Sequence, residues 1–175
     1  MEINQILQQD KELSTSQKID ISLNDVSKGI KQQLKKEFKW CKFSIRTEFY
    51  SGGSALHINL MESNFKVILP FNEISEDTLS QYGLRNYTRE QIKEIQDKTH
   101  HQLSEYALKE NYNKDKWNNG VFLTEKGFNL FKRVMELTNK FNWDNSDIST
   151  DYFDVNFYTH ISIGKWNKPF IEVEK

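Results

Sequence analysis

The chain has 175 residues and a formal net charge of −1, with 24 Lys and Arg against 25 Asp and Glu. That length fits one domain with a substantial core, and the balance of charge excludes bulk attraction to nucleic acid or anionic membrane, leaving only local patches. A single cysteine, Cys41, excludes an internal disulfide and a cysteine-rich zinc site, while 13% aromatic residues argue against disorder.

No apolar run approaches the roughly 20 residues that span a bilayer, and the N-terminus lacks a signal-peptide core. A cytoplasmic protein with no membrane contact is expected. Residues 1–21 carry few apolar positions, with Ile3, Ile6, Leu7 and Leu13 suggesting a short helix before a polar run; they read as a weakly attached arm, and residues 22–175 as one domain. From there Leu23, Val26, Ile30, Leu34 and Phe38 fall on one side of a helix that Ser22 or Asn24 can cap. Lys28, Lys31, Lys35 and Lys39 recur at spacings of three and four away from that side. A solvated helix face is the plain reading of this stripe, and a phosphate-facing patch the sharper one.

Trp40 to Met61 follows almost without a loop. Phe43, Ile45, Thr47 and Phe49 alternate with Lys42, Ser44, Arg46 and Glu48, then Leu56, Ile58 and Leu60 alternate with Ala55, His57, Asn59 and Met61. This period of two, broken at Tyr50-Ser51-Gly52-Gly53-Ser54, predicts a hairpin with one buried and one wet face. Asn64 to Phe71 reads as a third extended stretch, stopped at Pro70, and Asn72 to Tyr87 as a connecting loop with room for one helical turn. Thr88 to Gln91 has the capping-box form and opens a helix predicted to run to about Asn111. Thr124 opens the next, with Phe128, Phe131, Val134, Met135, Leu137 and Phe141 as its apolar stripe. Within Trp143 to Gly164, alternation from Tyr152 to Ile163 is the strongest strand signal, and Phe170 to Val173 reads as a short edge segment. The fold class is therefore α+β: an antiparallel sheet, built from a hairpin at 41–61 and a late strand at 151–163, with helices packed on one face.

If the late strand lies beside the hairpin, one wet face gathers Ser44, Arg46, Glu48, His57, Asn59, Asp154, Asn156, Tyr158 and His160. His57 and His160 exchanging protons beside Arg46 describe a small metal-independent ribonuclease; cross-strand hydrogen bonding is the plainer role. Tyr50, Tyr152 and Tyr158 with Arg46 can stack single-stranded bases, although Asp154 and Glu48 would repel phosphates. His100 and His101, placed on a helix, point about 100° apart and read as an exposed polar face, with Glu105 one turn on. No metal is expected. With no HExxH, Walker A or GxGxxG pattern, no cofactor is expected either. Cys41 reads as a buried strand cysteine, and Trp117, Trp143 and Trp166, all in predicted turns, as loop anchors or interface hot spots.

The segments KFSIRTEFYSGGSALHINL and DNSDISTDYFDVNFYTHISIG resemble the large polyvalent protein-associated domain family, the twenty-ninth of its numbered set. The resemblance spans roughly Val26 to Leu69 and Asn142 to Gly164. It implies a setting in phages, plasmids and conjugative elements, inside a bacterial host, and a role in protecting incoming DNA. A non-enzymatic counter-defence protein follows as the leading expectation, an anti-CRISPR or anti-restriction type whose partner is a host defence protein or nucleoprotein such as a Cas effector or its guide RNA. The resemblance carries no catalytic residues.

Overall fold

Ile3, Ile6 and Leu7 lie within α1 (Ile3–Gln8) of a computed structural model that describes residues 3–8, 21–82, 84 and 87–173. Ile6 and Leu7 are buried against α2 (Leu23–Glu37), and the Lys140 ammonium, itself buried, donates 3.0 Å to the Leu7 carbonyl near the end of α1. Leu13 and the polar run of the predicted arm lie outside the described residues. Ser22 caps α2 by accepting from the Asp25 amide, while Asn24 instead accepts from the Thr47 hydroxyl at 2.8 Å.

The hairpin forms as its alternation requires. β1 (Lys42–Tyr50) pairs antiparallel with β2 (Gly53–Ser63), and Tyr50 opposes Gly53, so Ser51 and Gly52 make the turn. Gly52 sits at φ 90°, a backbone that side chains rarely adopt. Leu56, Ile58 and Leu60 are buried in one cluster with Val26, Ile30 and Leu34 of α2. Ser44, Arg46, Glu48, His57 and Asn59 therefore occupy the other face.

Two predicted elements between the hairpin and the late strand differ. Asn64 to Phe71 does not join the sheet: it makes an isolated antiparallel bridge, Ile68 to Leu123, in which the Leu69 amide donates to Phe122 O at 2.8 Å and the Thr124 amide to Val67 O at 2.9 Å, while the Thr124 hydroxyl donates to Lys66 O at 2.6 Å. After α3 (Glu76–Gln81), the helix opened by the Thr88 capping box, α4 (Arg89–Gln96), ends well short of Asn111. It is followed by β3 (His100–Gln102) and α5 (Glu105–Lys109). His101 and Leu103 are buried on either side of exposed Gln102, a period of two that the helical spacing of Thr99, Leu103 and Tyr106 conceals. The two histidines consequently face opposite sides of a strand, rather than sharing an exposed helix.

β4 (Trp117–Asn118) and β5 (Val121–Phe122) form a small hairpin, with the Trp117 ring 5.0 Å from that of Phe122. Thr124 then caps α6 (Glu125–Asn139) as predicted. Phe128, Phe131, Val134, Met135 and Leu137 of α6 complete the core. The Arg133 guanidinium grips Glu37 at the end of α2 with two bonds of 2.9 and 2.8 Å.

β6 (Tyr158–Gly164) enters between β2 and β3, giving the strand order β1-β2-β6-β3, with β7 (Ile171–Glu172) beside the end of β2. The fold is α+β, but the sheet is mixed: β6 runs parallel to β2 and antiparallel to β3. Residues 64–157 supply the long crossover that a parallel pair needs. The late strand also starts at Tyr158 rather than at 151. Tyr152 to Val155 alternate as a strand would, yet they bridge back to Asp147 and Asp144 instead of joining the sheet.

Candidate functional site

Parallel pairing in register sets the geometry of the open face. Arg46 opposes His57 and His57 opposes His160, so the three form a row across β1, β2 and β6. Glu48, Ala55 and Tyr158 form the next row, with Tyr50 beyond it at the hairpin end. On the other side of the histidines lie Ser44, Asn59 and Ser162, with Gln102 of β3 beside Ser162.

The imidazoles of His57 and His160 stack with centroids 4.8 Å apart and planes 27° from parallel. Glu48 holds the pair from one side, its carboxylate 2.7 Å from His57 Nε2 and 3.4 Å from the Arg46 guanidinium. His57 Nε2 therefore carries a proton and donates it to Glu48. The Gln102 amide nitrogen lies 3.3 Å from His160 Nδ1. Since that nitrogen only donates, Nδ1 accepts, and the proton of neutral His160 sits on Nε2. Burial, then the proximity of His57, depresses the affinity of His160 for a second proton, with Glu48 opposing.

His101 faces inward. Its Nε2 lies 3.0 Å from Gln96 O, and burial depresses its pKa in the same direction. Both histidines thus bind protons less readily than in an unfolded chain, where the ordinary value is about 6.5. The stability this represents is complete above that pH and is lost as pH falls through 6.5 toward the depressed native values. Thermal unfolding should show Tm falling between pH 7.5 and 5, by roughly 2–4 °C for each kcal/mol of linkage, and His160→Asn should reduce the slope. The carboxylate of Glu37, lowered chiefly by its hydrogen bonds from Arg133, loses its contribution only in a lower window, below about 4.5.

Beside this row opens a polar cleft of about 470 Å³ lined by Arg46, His57, Asn59, His100, Lys165 and Trp166. Its far wall is the turn after β6. Gly164 takes φ 69°, Lys165 and Lys168 exchange backbone hydrogen bonds of 2.8 and 3.1 Å, and Thr99 Oγ1 donates 3.4 Å to Trp166 O. The Trp166 side of the turn stands out in solvent, the residue 87% exposed. Sequence reasoning placed Trp166 in a turn but missed His100, Lys165 and Gln102 as site residues. The usable signal was a glycine closing the strongest strand directly before Lys165-Trp166-Asn167.

The other predicted site residues divide clearly. Arg46, His57, His160, Tyr50 and Tyr158 share the open face, the tyrosines exposed at one end. Tyr152 is exposed but lies in the excursion before β6, and the Asp154 backbone goes with it, its amide donating to the Ser146 hydroxyl at 3.1 Å. Asp154 therefore does not stand in the strand rows of this face. Lys28, Lys31, Lys35 and Lys39 are exposed, the first three on α2 and Lys39 in the turn after it, with Lys28 paired to Asp25 at 2.9 Å. Because α2 packs on the apolar side of the sheet, the lysine stripe and the histidine row belong to different surfaces.

Among the described residues no three His, Cys, Asp or Glu side chains gather to hold a metal ion, and no helix is long and apolar enough to cross a membrane. The Cys41 thiol is pushed up to about 11 by burial, far from a thiolate nucleophile.

No curated protein and no solved structure matches the chain. A family model, large polyvalent protein associated domain 29, matches residues 21–126. The match takes in α2, the hairpin and β3, with Arg46 and His57, and stops before β6 and His160. On that match, which covers more than half of the sequence, the chain belongs to the large polyvalent protein associated domain 29 family, a domain of the polyvalent proteins of mobile elements.

Proposed function

We propose that this domain is a non-enzymatic binding module by which a mobile element obstructs a host defence nucleoprotein, of the anti-CRISPR or anti-restriction kind, and that the open sheet face holds a single-stranded segment of its nucleic acid. The observation that carries this reading is the row Arg46, His57 and His160, flanked by exposed aromatics: Tyr50 and Tyr158 at one end, Trp166 at the other. Exposed rings offer stacking surfaces to bases of any sequence, while arginine and imidazole groups between them supply donors to the backbone. Of the two carboxylates that argued against phosphates, only Glu48 stands in the strand rows of this face.

Binding is favoured over cleavage by the histidine stack. If the two imidazoles share the work, one taking the attacking proton and the other protonating the leaving oxygen, the phosphate lies between them, and rings stacked 4.8 Å apart leave no space for it there. Labelled guide RNA incubated with the protein in EDTA should stay intact; scission would install the ribonuclease reading instead.

Fluorescence anisotropy with that RNA should show binding that weakens as salt rises, as phosphate-led contacts require. Tyr158→Ala should weaken it roughly 5- to 150-fold, the loss of about 1–3 kcal/mol expected for one stacked base. Lys31→Glu with Lys35→Glu should change it little, since those side chains lie on the other surface. Binding indifferent to both Tyr158 and salt would remove the sheet-face reading. For the biological role, the protein should recover a defence component from a host bearing CRISPR or restriction systems. Recovery of none, together with unchanged plasmid transfer on deletion, would end it.

A further inference from the structure

We infer that the cleft between Arg46 and Trp166 is a site for one nucleoside monophosphate unit, its phosphate held by Lys165, His100 and Arg46 and its base laid against the Trp166 indole. This deepens, and rests on, the reading of the open face as a nucleic-acid surface.

Three observations carry it. First, the lining carries the Arg46 guanidinium and the Lys165 ammonium, with imidazole and amide N–H groups that can donate beside them, and no carboxylate among the lining residues. The nearby Glu48 is already engaged by His57 and Arg46. Such a wall is built for an anion that accepts several hydrogen bonds at once. Second, Trp166, an exposed residue, is of no use to the core, and it stands on a turn that is closed at both ends by backbone hydrogen bonds and tied to Thr99. A rigid, exposed, flat ring beside a cationic pocket suits an aromatic ligand that carries a phosphate. Third, the cleft's volume, about 470 Å³, lies at the lower end of the range of small-molecule sites. It admits one nucleotide, and a longer strand must leave it along the sheet toward Tyr158.

The ligand has two sources with the same chemistry, a free mononucleotide or the phosphorylated end of a single strand. Nuclear magnetic resonance titration of the full chain separates them. AMP should shift the Trp166 indole and His100 ring signals, and adenosine or inorganic phosphate alone should do so at least tenfold more weakly. Trp166→Ala and Lys165→Ala should each weaken AMP binding about tenfold while the remaining spectrum stays dispersed. A 5′-phosphorylated hexanucleotide that binds at least tenfold more tightly than its 5′-hydroxyl counterpart, and loses that advantage in Trp166→Ala, assigns the site to a strand end. AMP binding without oligonucleotide binding would assign it to a free nucleotide and overturn the nucleic-acid reading alone. Oligonucleotide binding that is unchanged in both variants, with no AMP shift at Trp166, would overturn the nucleotide site and leave the open-face reading standing. No binding by either ligand would overturn both.

Discussion

Gly164→Ala should destabilise the protein by about 2–5 kcal/mol and take the cleft with it. Gly164 ends β6 at φ 69°, where an added Cβ would collide with the Thr99 carbonyl oxygen and lie 2.9 Å from the Phe170 nitrogen. The left-handed backbone costs alanine about 1–2 kcal/mol, and forcing a methyl against immovable backbone adds about 1–3 kcal/mol. Gly52→Ala is the control. It carries a similar φ penalty, but nothing lies within 4 Å of the new methyl, so only the first cost applies. Urea unfolding compares the two directly. Equal losses would show that the packing of Gly164 against Thr99 and Phe170 contributes nothing. Because Lys165 and Trp166 follow Gly164 immediately, its variant should also lose nucleotide binding in excess of the loss of stability.

A fragment comprising residues 21–126, the stretch matched by the family model, should not fold. It ends just inside α6 and lacks β6, so β2 and β3 lose the strand between them. It also lacks the buried side chains of Phe128, Leu130, Phe131, Val134, Met135, Leu137, Phe141, Phe157, Ile161 and Ile163. At about 1.5–3 kcal/mol for each large buried side chain, these outweigh the roughly 5–15 kcal/mol of net stability that a domain has to lose. Circular dichroism and proton spectra should report an unfolded chain. A cooperative thermal transition from the fragment would show that the matched stretch is an autonomous domain.

The local parts of this architecture were legible in the sequence. Apolar spacing and a capping serine gave α2; Thr124 and its stripe gave α6; alternation about Ser51-Gly52 gave the hairpin and assigned Arg46 and His57 to its wet side. His160 was assigned to the same side because a period of two carries through from β2 to any neighbour whose register aligns. What the sequence concealed is non-local. Tyr152 to Val155 have a strand's alternation, yet they pair with Asp144 and Asp147. Thr99, Leu103 and Tyr106 have helical spacing, yet backbone bonds offered by β6 draw His100 to Gln102 into the sheet. His100 and Lys165 reach the cleft only through that pairing and the turn beyond it, so His100 carried no signal of its own and Lys165 only that of the glycine before it.

The parallel join of β2 to β6 also fixes the order of events in synthesis. It connects residues about 100 apart in the chain, a separation whose closure entropy slows folding relative to hairpins and helices. The hairpin bearing Arg46 and His57 can pair as soon as it emerges. His160 and Trp166 arrive only after α6 is made, so the row of Arg46, His57 and His160 is completed late, long after the hairpin that carries its first two members.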